Sequence, residues 1–285
     1  MGKVVLITGA STGIGFETSI TLARNGFRTF ATMRNLSKSH KIREIAKKEK
    51  LPLTVFSLDV NDNTSIQTAI QNVMVVAKRI DVVINNAGYG LFGAIEDLSM
   101  DKINKQFETN FFGMVRVIKL VLPIMRSQRS GTIVNISSMV GRVAMPLNSV
   151  YVASKFALEG FSESIRHALS KFGINVILIE PGIVKTRFFD NLQKSTNEVS
   201  KSPYTALLER RLSRFKSISQ SNSSAPSEVA LAILKALRSK SSDFQYVVGD
   251  DATAVLEKRK ALSDIEFERW IWDSIMESKG FVRAN

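Results

Sequence analysis

Short runs rich in Val, Ile and Leu recur along the chain at Lys3–Ile7, Arg28–Thr32, Leu53–Leu58, Asp81–Ile84, Thr132–Ile136, Asn175–Ile179 and Phe244–Val248. They lack the strict alternation of a strand with one wet face, so they predict strands buried on both sides. Between them lie amphipathic stretches of helical length: Gly13–Asn25, Ser37–Lys48, Asn63–Lys78, Met100–Arg126, Val150–Phe172 and Ser227–Arg238. Strand and helix in alternation predict an α/β fold, a doubly wound parallel β-sheet with right-handed crossovers and helices on both faces. Open sheets of this kind take ligands beyond the carboxyl ends of their strands. The informative motifs all fall there.

The first is Thr8-Gly9-Ala10-Ser11-Thr12-Gly13-Ile14-Gly15, between the first strand and the first helix. Gly9 allows a tight turn, Gly13 lets the backbone approach a pyrophosphate, and Gly15 permits close packing of helix on sheet. Ser11, Thr12 and Ile14 carry the helix N-terminus whose free N–H groups face such an anion. The second strand ends Ala31-Thr32-Met33-Arg34-Asn35, with no acidic residue before Glu44 to hold a free ribose 2′-hydroxyl. Arg34, with Lys38 nearby, is placed to pair with a 2′-phosphate, which predicts NADP(H) in preference to NAD(H). Asp59 and Val60 end the third strand, and Asp59 is placed to accept from an adenine amino group. Asn61 and Asp62 are the better helix caps there. Asn85-Asn86-Ala87-Gly88 ends the fourth strand; its small residues let backbone crowd a cofactor, and its side-chain amides can tie adjacent loops together. Ser137-Ser138 ends the fifth, and Pro181-Gly182-Ile183 with Thr186 ends the sixth.

Tyr151 and Lys155 lie 13 and 17 residues beyond Ser138 (151 − 138 and 155 − 138). A spacing of four puts both on one helix face. A free tyrosine has a pKa of about 10 and is a poor base near neutrality; a neighbouring ammonium favours its phenolate. Such a pair can exchange a proton with a substrate oxygen. His40 and His167 are far apart in the chain and lack companion ligands, so no metal is expected.

Composition narrows the field. The 285 residues contain no cysteine, which excludes disulfides and thiolate chemistry. The first strand runs straight into the glycine turn, leaving no room for a signal peptide, and Val115–Met125 is interrupted by Arg116 and Lys119. A soluble, cytoplasmic protein without a membrane span is expected. The net charge of +13 attracts polyanions, including a phosphorylated cofactor. The basic residues are scattered, as at Lys38, Lys41 and Arg43 or Arg210, Arg211 and Arg214, and read as solvated helix faces. No nucleic-acid groove is indicated.

Taken in order and spacing, the glycine turn, the NNAG run at 85–88, Ser138, Tyr151-Val152-Ala153-Ser154-Lys155 and Pro181-Gly182-Ile183-Val184-Lys185-Thr186 resemble the short-chain dehydrogenase/reductase family. The likeness runs over roughly residues 3–250. Ala31–Asn35 and Gly88–Ser99 look like its hydroxysteroid and retinol dehydrogenase branch. The resemblance implies a single Rossmann-type domain over 1–250 and a catalytic tetrad of Asn110, Ser138, Tyr151 and Lys155. It also implies that Lys155 holds the ribose hydroxyls, that Thr186 and the Ile183 backbone orient the carboxamide, and that the protein is a homo-oligomer. The activity implied is hydride transfer between NADP(H) and a carbonyl or alcohol, on a lipophilic small molecule. An isomerase, epimerase or dehydratase with retained cofactor, and a non-catalytic NADP(H) sensor, are the alternatives. Many NADP-preferring relatives carry Lys or Arg within the glycine turn, where this chain has Ser11 and Thr12. Arg187–Ser224 is overlong for a connection and predicts a lid with short helices closing over substrate. Residues 251–285 read as a helical extension; Phe267, Trp270 and Ile271 are expected to cover the pocket entrance or a partner subunit.

Overall fold

The apolar runs become strands of one sheet because each places side chains alternately on its two faces. A computed structural model describes residues 2–186, 193–194, 202–221, 223–239 and 241–276. Its strands are β1 (Val4–Ile7), β2 (Arg28–Met33), β3 (Leu53–Ser57), β4 (Val82–Asn85), β5 (Leu91–Phe92), β6 (Gly131–Ile136), β7 (Ile174–Pro181), β8 (Gln193–Lys194) and β9 (Gln245–Val248). Seven of them form a parallel sheet in the order β3-β2-β1-β4-β6-β7-β9, while β5 and β8 pair separately. The helices are α1 (Gly13–Arg24), α2 (His40–Lys48), α3 (Asn63–Ala77), α4 (Met100–Phe107), α5 (Gly113–Gln128), α6 (Ser149–Leu169), α7 (Thr205–Ser221), α8 (Pro226–Arg238), α9 (Asp250–Ala261) and α10 (Asp264–Ile271).

Strand alternation explains the two cores. Val5 and Ile7 of β1 point to the face covered by Phe16 and Ile20 of α1 and by Val229 and Ile233 of α8. Val4 and Leu6 point the other way, onto Ile66 and Val73 of α3 and Val117 and Val121 of α5. Burying such a side chain contributes about 1.5–3 kcal/mol, so a strand wet on either face would forfeit half its packing. Asp62 caps α3 by accepting from the Thr64 and Ser65 amides.

The stretch 100–126 is not one helix. A π-helical turn at Glu108–Phe112 separates α4 from α5, adding a residue to that turn and carrying Asn110 on it. The C-terminal segment packs on its own chain: Phe267 and Ile271 are buried with Met139, Val143, Met145, Val152 and Val255, while Ile265 and Trp272 remain exposed. The expected lid at 187–224 falls partly outside the described residues, with Phe188, Phe189 and Leu192 among those outside; β8 and α7 are the parts described. Among the described residues, no helix is long and apolar enough to cross a membrane.

Two glycines test this packing in opposite directions. A Cβ on Gly15 would lie 2.4 Å from Asn86 Nδ2 and 2.5 Å from the Gly9 carbonyl oxygen, whereas a Cβ on Gly160, in α6, meets nothing within 4 Å. Gly15→Ala should therefore lose about 1–3 kcal/mol in urea unfolding, and Gly160→Ala should gain about 0.5–1 kcal/mol through helix propensity. Equal effects of the two would contradict the packing described.

Candidate active site

β1 and β4 are neighbours in the sheet, and the chain winds away from them in opposite directions. A crevice must open at their carboxyl ends. Asn86 sets its floor. Its side-chain amide donates to the Thr8 and Gly9 carbonyls at 3.0 Å each, and the Asn86 and Ala87 amides donate to Thr8 Oγ1 at 3.0 and 3.1 Å. Gly15 is small chiefly because this amide and the Gly9 carbonyl occupy the place of its Cβ. Gly9 has φ +70° and Gly13 φ +60°, the left-handed region that favours glycine. A Cβ on Gly13 would come within 3.1 Å of Thr186 Cγ2, so the first and last loops nearly meet across the crevice.

The cavity there measures about 880 Å³ and is bordered by all the predicted strand-end motifs, a size in the range of ligand pockets. Thr12 begins α1 in extended conformation without capping it, and the first turn holds no acidic side chain. The turn's N–H groups thus present an open positive pole to an anion. Ser11, Ile14, Val60 and Gly88 line the same cavity. Arg34 and Lys38 border it as exposed cations after β2. Asp59 also lines it, and one carboxylate oxygen accepts from the Asn61 amide at 3.0 Å. These residues fit a dinucleotide.

At the other end lie the four residues of the expected tetrad. Tyr151 is half-buried on the wall of the cavity, and desolvation there pushes its pKa up to about 12. A hydrogen bond with Ser138 acts the opposite way. Ser138 Oγ is itself held by the Pro181 carbonyl and the Val140 amide, both at 3.3 Å. Lys155 is buried and donates to the Ile136 carbonyl at 2.8 Å. Its Nζ stands 5.8 Å from the centre of the Tyr151 ring. Desolvation raises the tyrosine by more than the Ser138 hydrogen bond lowers it. Burial also drops the Lys155 pKa to about 8, with Glu159 pulling upward. Asn110, buried on the π turn, receives the Tyr89 amide at 3.1 Å and donates to the Tyr89 carbonyl at 2.9 Å. Its amide also reaches Ser154 Oγ at 3.4 Å, and Ser154 Oγ donates to the Tyr151 carbonyl at 2.7 Å. Asn110 thus links the Tyr89 loop to the helix that carries Tyr151.

One backbone role shifts. The Ile183 amide, expected to orient a carboxamide, donates to Asp251 Oδ2 at 2.7 Å, and the Ile183 carbonyl accepts from the Ser224 amide at 2.9 Å. Both polar groups are committed inside the protein. Asp251, from α9, presses so closely on Gly182 that a Cβ there would lie 2.2 Å from its carboxylate. Nothing in the local sequence signals it, because the contact spans 68 residues. Glu159 was also missed, although it lies one turn beyond Lys155 on the same helix. Burial, reinforced by nearby Glu180, pushes the Glu159 carboxyl up to about 7. Glu180 is raised by burial as well, against its ion pair with Arg142 at 3.0 Å.

Residues 3–197 match the short chain dehydrogenase family. The chain is 44% identical to bovine (Bos taurus) retinol dehydrogenase 8 over 69% of its own length and 64% of that protein. It is 35% identical to human (Homo sapiens) 17-beta-hydroxysteroid dehydrogenase type 1, covering 90% of this chain and 80% of the other. A crystal structure of a short-chain dehydrogenase from Streptomyces avermitilis superposes with a TM-score of 0.81 at 29% identity, over 95% of this chain and 97% of that one.

The buried carboxyl beside Lys155 sets a pH dependence. Glu159 holds its proton more tightly folded than unfolded, so its contribution to stability is complete below about pH 4.5 and fades as pH rises through about 7. Glu159→Gln, which cannot ionise, should escape that loss. The stability of Glu159→Gln relative to wild type should rise by about 1–3 kcal/mol between acid and mildly alkaline solution in urea titrations. A difference independent of pH would show that folding leaves the Glu159 pKa unchanged.

Proposed function

The chain belongs to the short-chain dehydrogenase/reductase family, oxidoreductases acting on CH–OH and C=O groups with NAD(P), and from that premise we propose that it reduces or oxidises a lipophilic carbonyl–alcohol pair with preference for NADP(H). The observation that carries this reading is the Tyr151 hydroxyl hydrogen-bonded with Ser138, with Lys155 one turn away, on the crevice that the glycine turn opens onto. When bound, the nicotinamide cofactor supplies or accepts the hydride.

The residues divide the remaining work. The α1 N-terminus with Gly9, Ser11, Thr12, Gly13 and Ile14 binds pyrophosphate; Arg34, with Lys38 beyond it, takes the 2′-phosphate. Asp59 and Val60 hold the adenine end, and Asn86, Ala87 and Gly88 support the middle. Pro181, Gly182, Ile183 and Thr186 close over the nicotinamide end, with Ile183 contributing its side chain instead of its amide. Ser138 steadies the substrate oxygen, Tyr151 passes it a proton, and Lys155 holds ribose and moderates the charge. Asn110 fixes the frame of Tyr151. A tyrosine held near 12 keeps its proton through neutrality, which readies the site for reduction; oxidation requires that proton to leave. Leu91, Phe92, Met145, Phe215, Ile218 and Val255 line the cavity with apolar surface. Two relatives are named for retinol and for a 17-beta-hydroxysteroid, both apolar alcohols.

Tyr151→Phe keeps the ring and removes the proton donor. Its kcat should fall by about 10²–10⁴ with cofactor affinity largely kept, measured as NADPH oxidation against ketones and aldehydes. Retention of half the wild-type rate would end the mechanism. In the wild type, reduction should be nearly flat between about pH 6 and pH 8, while alcohol oxidation climbs with pH. An isomerase or dehydratase of the same fold would consume no added cofactor in this assay.

Cofactor choice rests on Arg34. A charge-assisted contact is worth ~1.5–3 kcal/mol, but Arg34 is exposed, so screening holds the preference nearer tenfold. We expect NADPH to exceed NADH about tenfold in kcat/KM, and Arg34→Ala to erase most of that margin. A preference that survives the substitution would move the phosphate site to Lys38 or Ser11.

A further inference from the structure

Helix α7 places a charge where its pattern calls for an apolar side chain. Leu208, Arg211, Phe215 and Ile218 recur at helical spacing on one face, and Leu208, Arg211 and Ile218 are buried. Arg211 is only 5% exposed; it is not part of the solvated basic face that the sequence suggested. Its guanidinium lies 5.6 Å from the centre of the Phe215 ring, and Phe215 packs against Phe92 at 5.7 Å. Arg211, Phe215, Phe92 and Ile218 all line the cavity that Tyr151 lines.

What Arg211 lacks is an anion. Arg24, Arg79, Arg116, Arg142 and Arg259 each pair with a carboxylate. Among the described residues no carboxylate pairs with Arg211, and its buried Nε has no hydrogen-bond partner. Burial alone draws its pKa down to about 10, so it stays charged at neutral pH. Within the described buried set, Lys155 and Arg211 are the basic side chains. The proposed chemistry employs the first and leaves the second unexplained. An isolated buried cation is costly, and such a cost persists where a ligand relieves it.

We infer that Arg211 is the anion-recognition point of the substrate cavity, and that the substrate is an apolar carbonyl or alcohol compound bearing a carboxylate. The guanidinium fork matches a carboxylate through two parallel hydrogen bonds. A monoanion also balances the single buried guanidinium beside Phe92, Phe215 and Ile218. This inference rests on the oxidoreductase reading only for the carbonyl; the carboxylate follows from Arg211 itself.

The test separates the two. Straight-chain carboxylates from octanoate to tetradecanoate, and alcohols of the same lengths, are titrated calorimetrically into the NADP⁺-loaded protein. The best carboxylate should bind about ten- to a hundredfold more tightly than its alcohol, the ratio a charge-assisted contact supplies. Arg211→Met should collapse that ratio toward unity, and Arg211→Lys should retain part of it. Arg211→Met should also melt no lower than wild type, since it removes an unpaired buried charge; if it fails to fold, Arg211→Gln replaces it. In parallel, oxo fatty acids and their methyl esters are offered with NADPH, and the acid-over-ester ratio in kcat/KM should fall in the variant. Equal binding of carboxylate and alcohol by the wild type overturns the inference, as does an undiminished ratio in the variants. Carboxylates that bind through Arg211 while no carbonyl compound is reduced would leave the carboxylate site at Arg211 standing and end both the carbonyl part of the inference and the oxidoreductase reading.

Discussion

The clamp of Asn86 on the Thr8–Gly9 carbonyls is the interaction on which the rest of the site depends. Adjacent parallel strands leave a crevice wherever the winding reverses, but the crevice has a defined floor only if the loops leaving β1 and β4 are fixed to each other. Here one side-chain amide and one threonine hydroxyl supply four hydrogen bonds at about 3 Å. Their geometry in turn demands glycine at positions 9 and 15. The glycine pattern is as much a condition of this clamp as a binding motif.

A second constraint runs through the buried polar groups. Asn85 donates to Asn135, Asn135 to Ser162, and Ser162 to the Leu158 carbonyl, which ties β4 and β6 to the helix bearing Tyr151 and Lys155. Asn110 and Ser154 tie the same helix to the Tyr89 loop. Each such link is costly to leave half-made in a low-dielectric interior. The helix is therefore held in rotation as well as position, and that fixes where a hydroxyl on its surface points.

Much of this was legible in the residues. The seven strands were readable because burial on both faces leaves an unbroken apolar signature. The strand-end motifs were readable because a parallel sheet sends them all to one edge. The π turn was not, since apolar residues continue at three- and four-residue spacing on both sides of it and read as one helix. Asp251 and Arg211 escaped for a different reason. An aspartate at the start of a helix and an arginine in a basic stretch look local, and only tertiary packing reveals that one grips Ile183 and the other is enclosed. The tyrosine's elevated pKa was missed because sequence spacing reports neighbours but not desolvation.

The grip of Asp251 on the loop after β7 has a consequence for how the protein comes into being. On a ribosome the glycine turn, Asn86 and the Tyr151 helix emerge early and can settle against one another. The loop at 181–183 cannot take its final shape until residue 251 has cleared the exit tunnel, because the carboxylate that holds the Ile183 amide is made 68 residues later. A nascent chain thus carries a crevice with one wall unset while those 68 residues are added.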